Sequence, residues 1–143
     1  MREILFRGKN KNDDKWAFGS LQVFKGFSIF DNDIKNFVAV NSKTIGQYTG
    51  IKDKNDKMIF EGDIVQYNTY DDFDCQSIVK FGEYGQDGSG GEYRATECLG
   101  FYVEVDNFTC PDWCEDAPEY FPHHKSQQNI LEIANSCEVI GNI

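Results

Sequence analysis

Between Thr44 and Val65 apolar and polar residues alternate with a period of two, and clusters of turn-forming residues break the alternation at short intervals. That period places successive side chains on opposite faces of an extended strand and leaves no room for an amphipathic helix. Ile45, Gln47 and Thr49 fall on one face, and Gly46, Tyr48 and Gly50 on the other. Glycines flanking Tyr48 admit a second backbone at close range or a left-handed turn. Asp53-Lys54-Asn55-Asp56 reads as a polar turn before Met58-Ile59-Phe60, and Glu61-Gly62-Asp63 bends the chain into Ile64-Val65-Gln66-Tyr67. In both turns an aspartate is placed to accept backbone amides. Ile45, Tyr48, Ile59, Ile64 and Val65 are the expected core of this stretch.

The same grammar extends to both sides. Ile4–Arg7, Trp16–Phe24, Phe27–Phe30 and Asn36–Val40 precede the central stretch as short apolar runs between polar turns. Ser77–Phe81, Leu99–Val105 and Cys137–Ile143 follow it. Five glycines in the ten residues from Gly82 to Gly91 mark a hairpin loop, and Ser126–Ala134 suits either a short helix or a strand. Turn signals spaced roughly 8–12 residues apart, without helical periodicity, specify a mainly β chain. A length of 143 residues suits one domain. Within it, residues 1–50 form a short-stranded β part, and residues 51–143 a part with long loops.

Charge narrows the function classes. Residues 1–60 hold 11 Lys/Arg against 7 Asp/Glu, and residues 61–143 hold 3 against 17, giving −10 overall. An acidic second half repels phosphate backbones and anionic bilayers, so neither nucleic acid nor a membrane is an expected partner. The acidity reads first as solubility, and alternatively as a surface that imitates nucleic acid. No window is apolar for long enough to span a bilayer, and Met1-Arg2-Glu3-Ile4 opens no hydrophobic signal region. A cytoplasmic protein is expected, with the five cysteines (Cys75, Cys98, Cys110, Cys114 and Cys137) as reduced thiols.

Four segments carry a family resemblance. They are Ile4-Leu5-Phe6-Arg7-Gly8; Trp16-Ala17-Phe18-Gly19-Ser20; the run from Gly46-Gln47-Tyr48-Thr49-Gly50 through Asp53 to Glu61-Gly62-Asp63-Ile64-Val65; and Glu138-Val139-Ile140-Gly141-Asn142-Ile143. Together they resemble the YopX family, found mostly in phages and prophages of bacteria. Where the family usually has a turn glycine, this chain has Asp56. The resemblance implies one YopX-like domain whose N-terminal β half packs on an SH3-like small barrel formed by residues 51–143. It also implies a phage or prophage context in a bacterial host. It implies no reaction, because the family carries no established activity.

Four constellations carry residue types that chemistry uses. Cys110-Pro-Asp-Trp-Cys114 with His123 and His124 holds the residue types of a zinc site. The spacing lacks a second well-spaced pair, and adjacent histidines point apart in a strand, so neither metal nor cofactor is expected. The glycine loop is followed by Glu92 and Tyr93 rather than Lys-Ser/Thr, which excludes a phosphate cradle. The carboxylates Asp53, Asp56, Glu61, Asp63 and Asp71-Asp72-Asp74 serve acid/base work or a divalent cation only if they converge. The aromatics exceed what a small barrel holds inside. Trp16 and Phe18 suit a core, whereas Tyr70, Phe73, Tyr84 and Tyr93 stand in polar stretches and are the candidate partner-binding residues.

The reading is a non-enzymatic binding or assembly module, with a host or phage protein as partner and a second copy among its partners. In the expected self-contact Lys9, Lys11, Lys15 or Lys52 meets the acidic segments beyond Glu61. The alternatives are a small metal-dependent hydrolase and an acidic decoy of a host DNA-binding protein.

Overall fold

Polar turns between short apolar runs produce hairpins, and hairpins dominate the computed structural model, which describes residues 3–68, 74–86, 96–105 and 126–143. The first six strands are β1 (Phe6–Lys9), β2 (Trp16–Val23), β3 (Phe27–Asp31), β4 (Asn36–Ala39), β5 (Gly46–Lys52) and β6 (Met58–Phe60). They form an antiparallel sheet in the order β4-β3-β2-β1-β5-β6. Lys25 (φ 51°) and Gly26 (φ 146°) make the β2–β3 turn, and Lys35 (φ 53°) the β3–β4 turn. Asp56, at the place of the family glycine, has φ 64°, a left-handed conformation that aspartate tolerates better than most residues. A bridge between Asn10 and Val40 draws the end of β4 back towards β1. The first four strands curl in this way around Ala17, Ile29 and Val40.

The chain crosses to a second sheet at Glu61-Gly62. Its strands are β7 (Asp63–Asn68), β8 (Asp74–Gln86), β9 (Thr96–Val105), β10 (Ser126–Asn129) and β11 (Glu138–Asn142), in the order β10-β9-β8-β7-β11. Between β10 and β11 lies one helical turn, α1 (Ile130–Ile133), capped by the Asn129 side chain, which accepts from Leu131 N. The ambiguous segment is thus strand first and helix second. The second core gathers Val65, Tyr67, Val79, Val103, Ile130 and Cys137, together with Ile59 from β6.

The mainly β expectation holds. The closed barrel does not: both sheets are open among the described residues. Beyond its bulge between Val139 and Gly141, β11 runs along β7 and ends with Ile143 N bonded to Gly62 O, while β10 gives way to α1. The two outer strands therefore do not meet. β5 and β6 pair with the first sheet, while Ile51 and Ile59 pack into the second core.

Glycine at position 46 is required, because a Cβ there would run into the Glu61 carbonyl. Gly50 takes the left-handed value of φ 85°. Tyr48, Ile59 and Val65 are buried as expected, but Ile45 and Ile64 are only partly so. In β7 the buried residues are Asp63, Val65 and Tyr67, and that phase leaves Ile64 on the other face, against Gly141.

Candidate functional site

Strand alternation sends Phe6 and Gly8 of β1 towards the small core and Arg7 to the opposite face, directly across from Phe18 and Gly46. The guanidinium lies 4.5 Å from the Trp16 ring and 4.9 Å from the Phe60 ring. Its Nη1 is 2.6 Å from Asp63 Oδ1, and its Nη2 donates to the Glu61 carbonyl at 3.4 Å. The other Asp63 oxygen accepts from Phe60 N at 2.8 Å. The Arg7–Asp63 contact is an ion pair without hydrogen-bond alignment, and Arg7 Nε has no acceptor among the described residues. One cation thus joins the first sheet to the crossover and the second. Burial pushes the Asp63 carboxyl above the ordinary aspartate value, against the Phe60 amide and Arg7, which pull it down. A cleft of about 300 Å³ opens beside this joint, floored by Arg7, Trp16, Phe18 and Phe60. A second, of about 420 Å³, lies between Lys43, Glu61, Lys80 and Tyr102.

Asp53 Oδ1 accepts from Asn55 N and Lys57 N, and its Oδ2 from Val139 N. Asp31 accepts from Phe18, Asp33 and Ile34 amides. Burial raises both carboxyls, but the amide bonds outweigh it and hold both below 3.8. The turn role expected of Asp53 and Asp63 is therefore what these residues do. Burial, and next the Asp53 charge, pushes the Cys137 thiol up to about 11, so it is no nucleophile at neutral pH. Cys98 is the other described free thiol. Among the described residues no three His, Cys, Asp or Glu side chains gather as a metal site.

A depressed carboxyl stabilises the fold above its unfolded pKa, and this contribution disappears as pH falls through the folded value. Asp53→Asn should therefore be less stable than the wild type at neutral pH, with the gap shrinking as pH drops below 3.8. Urea midpoints along a pH series measure it. A gap that persists at full size in acid would remove the carboxylate from this role.

Of the aromatic candidates, only Tyr84 lies within the described residues; Tyr70, Phe73 and Tyr93 lie outside them, as do Cys110, Cys114, His123 and His124. Tyr84 is in β8 rather than in a loop, and is buried. It stacks on Tyr102 at 5.1 Å and its hydroxyl accepts from Asn129 Nδ2 at 2.7 Å. Gly82 and Gly100 pair between the two rings, Gly82 beside Tyr102 and Gly100 beside Tyr84. Trp16 and Phe18, expected in a core, instead line the Arg7 cleft and are partly exposed. Lys9, Lys15 and Lys52 are each within ion-pair distance of an acid of their own chain, namely Asp14, Asp13 and Asp56.

Among the described residues, several apolar side chains of the first sheet stand out to solvent. Phe24 is 73% exposed and Val23 65%, at the tip of the β2–β3 hairpin; Ile34 is 63% and Phe37 54%, at the β3–β4 turn and edge. Phe-Lys-Gly between two strands was the available signal, since it fixes a tight turn with an aromatic residue at its shoulder. Arg7 was equally legible as the one charge inside an apolar strand.

A family model described as YopX protein matches residues 5–143. None of the curated proteins compared with the chain matches it.

Proposed function

The chain belongs to the YopX family, and on that premise we propose that it is a non-enzymatic accessory protein of phage or prophage origin. It acts in the host cytoplasm by binding proteins, a second copy of itself among them. The observation that carries this reading is two exposed apolar pairs of the first sheet, Val23 with Phe24 at the β2–β3 tip and Ile34 with Phe37 at the opposite end of β3. Exposed apolar patches mark interaction surfaces, and aromatic side chains anchor them. The buried carboxylates support the same reading, because Asp31, Asp53 and Asp63 are engaged with backbone amides or Arg7 rather than offered to a substrate. The five bent strands β7–β11 we read as an opened relative of the SH3-like unit, a fold that often serves recognition.

Affinity capture from infected or induced host cells, read by mass spectrometry, tests it. Proteins retained by the wild type should be lost with Phe24→Ser/Phe37→Ser, with circular dichroism checking that the fold survives loss of the Phe30–Phe37 ring contact. If both baits retain the same set, neither pair is the binding surface.

A further inference from the structure

The hairpin β8–β9 offers a second exposed apolar area, different in charge from the first. Register pairs Phe81 with Phe101, Glu83 with Leu99 and Gly85 with Glu97, so all of these share one face. Further along that face Val79 and Val103 enter the second core. Towards the hairpin end the face leaves the core and meets solvent. There Phe81 is 51% and Leu99 71% exposed, and Glu83 and Glu97 are exposed beside them. The first sheet presents an apolar tip beside a cation. At the β2–β3 tip Val23 and Phe27 are cross-strand partners, both exposed, next to Phe24. Lys25 Nζ lies 5.6 Å from the Phe24 ring, so the cation and the aromatic face form one unit.

We propose that the β2–β3 tip of one copy docks on the Phe81/Leu99 face of the next, head to tail, with Lys25 set between Glu83 and Glu97. This deepens the binding reading above by naming one partner and both surfaces. The occupant is a second copy because the chain carries both halves of a matched pair, an apolar tip with a cation and an apolar face rimmed by acids. The two halves sit on different sheets, so a copy cannot satisfy itself by two-fold symmetry through either patch alone. The contact joins unlike patches: each copy gives one surface and receives on the other. Phe24, Phe27, Phe81 and Leu99 supply the buried apolar area, and the charges fix orientation and speed encounter.

A tip-to-face contact has a signature that a contact between two like patches lacks. Two variants break opposite halves: Phe24→Ser/Lys25→Glu removes the tip, and Glu83→Lys/Leu99→Ser removes the receiving face. Sedimentation velocity over a protein concentration series should show the wild type as multiples of 16.4 kDa, and each variant alone as a monomer. Mixed in equal amounts, the two variants should form a two-chain species and no larger one, because one intact tip and one intact face remain. The charge-only variants Lys25→Glu and Glu83→Lys/Glu97→Lys, with circular dichroism of all proteins, separate lost contact from lost fold. They should weaken assembly and lessen its dependence on salt. A wild type that is monomeric throughout, variants that assemble as the wild type does, or a mixture that stays monomeric would each overturn the proposal. If in that case the wild type still captures a host protein that Phe24→Ser/Phe37→Ser loses, the self-contact fails and the binding reading stands.

Discussion

Arg7→Met should destabilise the protein by about 3–5 kcal/mol, the range for removing one partner of a buried ion pair. The side chains of Arg7 and Asp63 are only 9% and 1% exposed, so water cannot replace the lost guanidinium at the carboxylate. The variant also loses the cation between the Trp16 and Phe60 rings. The pH dependence has a definite sign. Asp63 already sits above its ordinary value through burial, and without Arg7 it rises further. A carboxyl raised in the folded state favours folding at low pH and opposes it as pH climbs through the folded pKa. The Arg7→Met penalty should therefore be largest at neutral pH and smaller in acid. Arg7→Met/Asp63→Asn should recover part of the loss, because the neutral amide still offers an oxygen to Phe60 N. Denaturant titrations of the wild type and the two variants at two pH values measure all of this. A single-variant loss below about 1 kcal/mol would make the pair no more than a surface salt bridge in energetic weight.

Ile59→Ala should cost about 2–5 kcal/mol, as for other buried branched side chains cut back to alanine. Ile59 is fully buried in the second core although its strand is bonded to the first sheet, so the cavity would open where the two halves share material. Ile64→Ala should cost less than half as much, because Ile64 is only partly buried and faces away from that core. The ratio is the informative quantity, and urea unfolding of both variants yields it. Equal losses would mean that the phase of β7 is wrong.

That contrast also shows where sequence reasoning ends. The turns were readable because their chemistry is local: Asp53 bonds amides two and four residues ahead. Asp63 bonds the amide three residues behind it. The need for glycine at 46 and the left-handed backbone at 50 followed from two glycines in an otherwise alternating strand. The phase of β7 was not readable, because Ile64 and Val65 are both apolar and the inward-facing set is decided by a distant partner, Arg7 in β1. Barrel closure failed for a similar reason. Whether β10 meets β11 depends on where α1 takes the chain, and a four-residue helical turn leaves little periodic trace. Among the described aromatics, the polarity of chain neighbours does not separate internal rings from exposed ones. Tyr84, beside Glu83 and Gly85, proved to be internal, whereas Phe24, flanked by Val23 and Lys25, stands in water.

The clasp made by β11 has a consequence in time. Val139 N reaches Asp53, its carbonyl takes Lys57 Nζ, Lys54 N bonds the Cys137 carbonyl, and Ile143 N bonds Gly62 O. All of these join the last described strand to a turn and a crossover laid down far earlier in the chain. On a ribosome the pairings of β1 to β4 are between neighbours and can form as they emerge, whereas β7 must wait beside an empty place. Long-range pairing of this kind is slow, and an unfilled strand edge is a template for any other chain that passes. Crowded synthesis or concentrated refolding therefore favours the β11 of one molecule completing the β7 of another, so that yield should fall as chains are brought closer together.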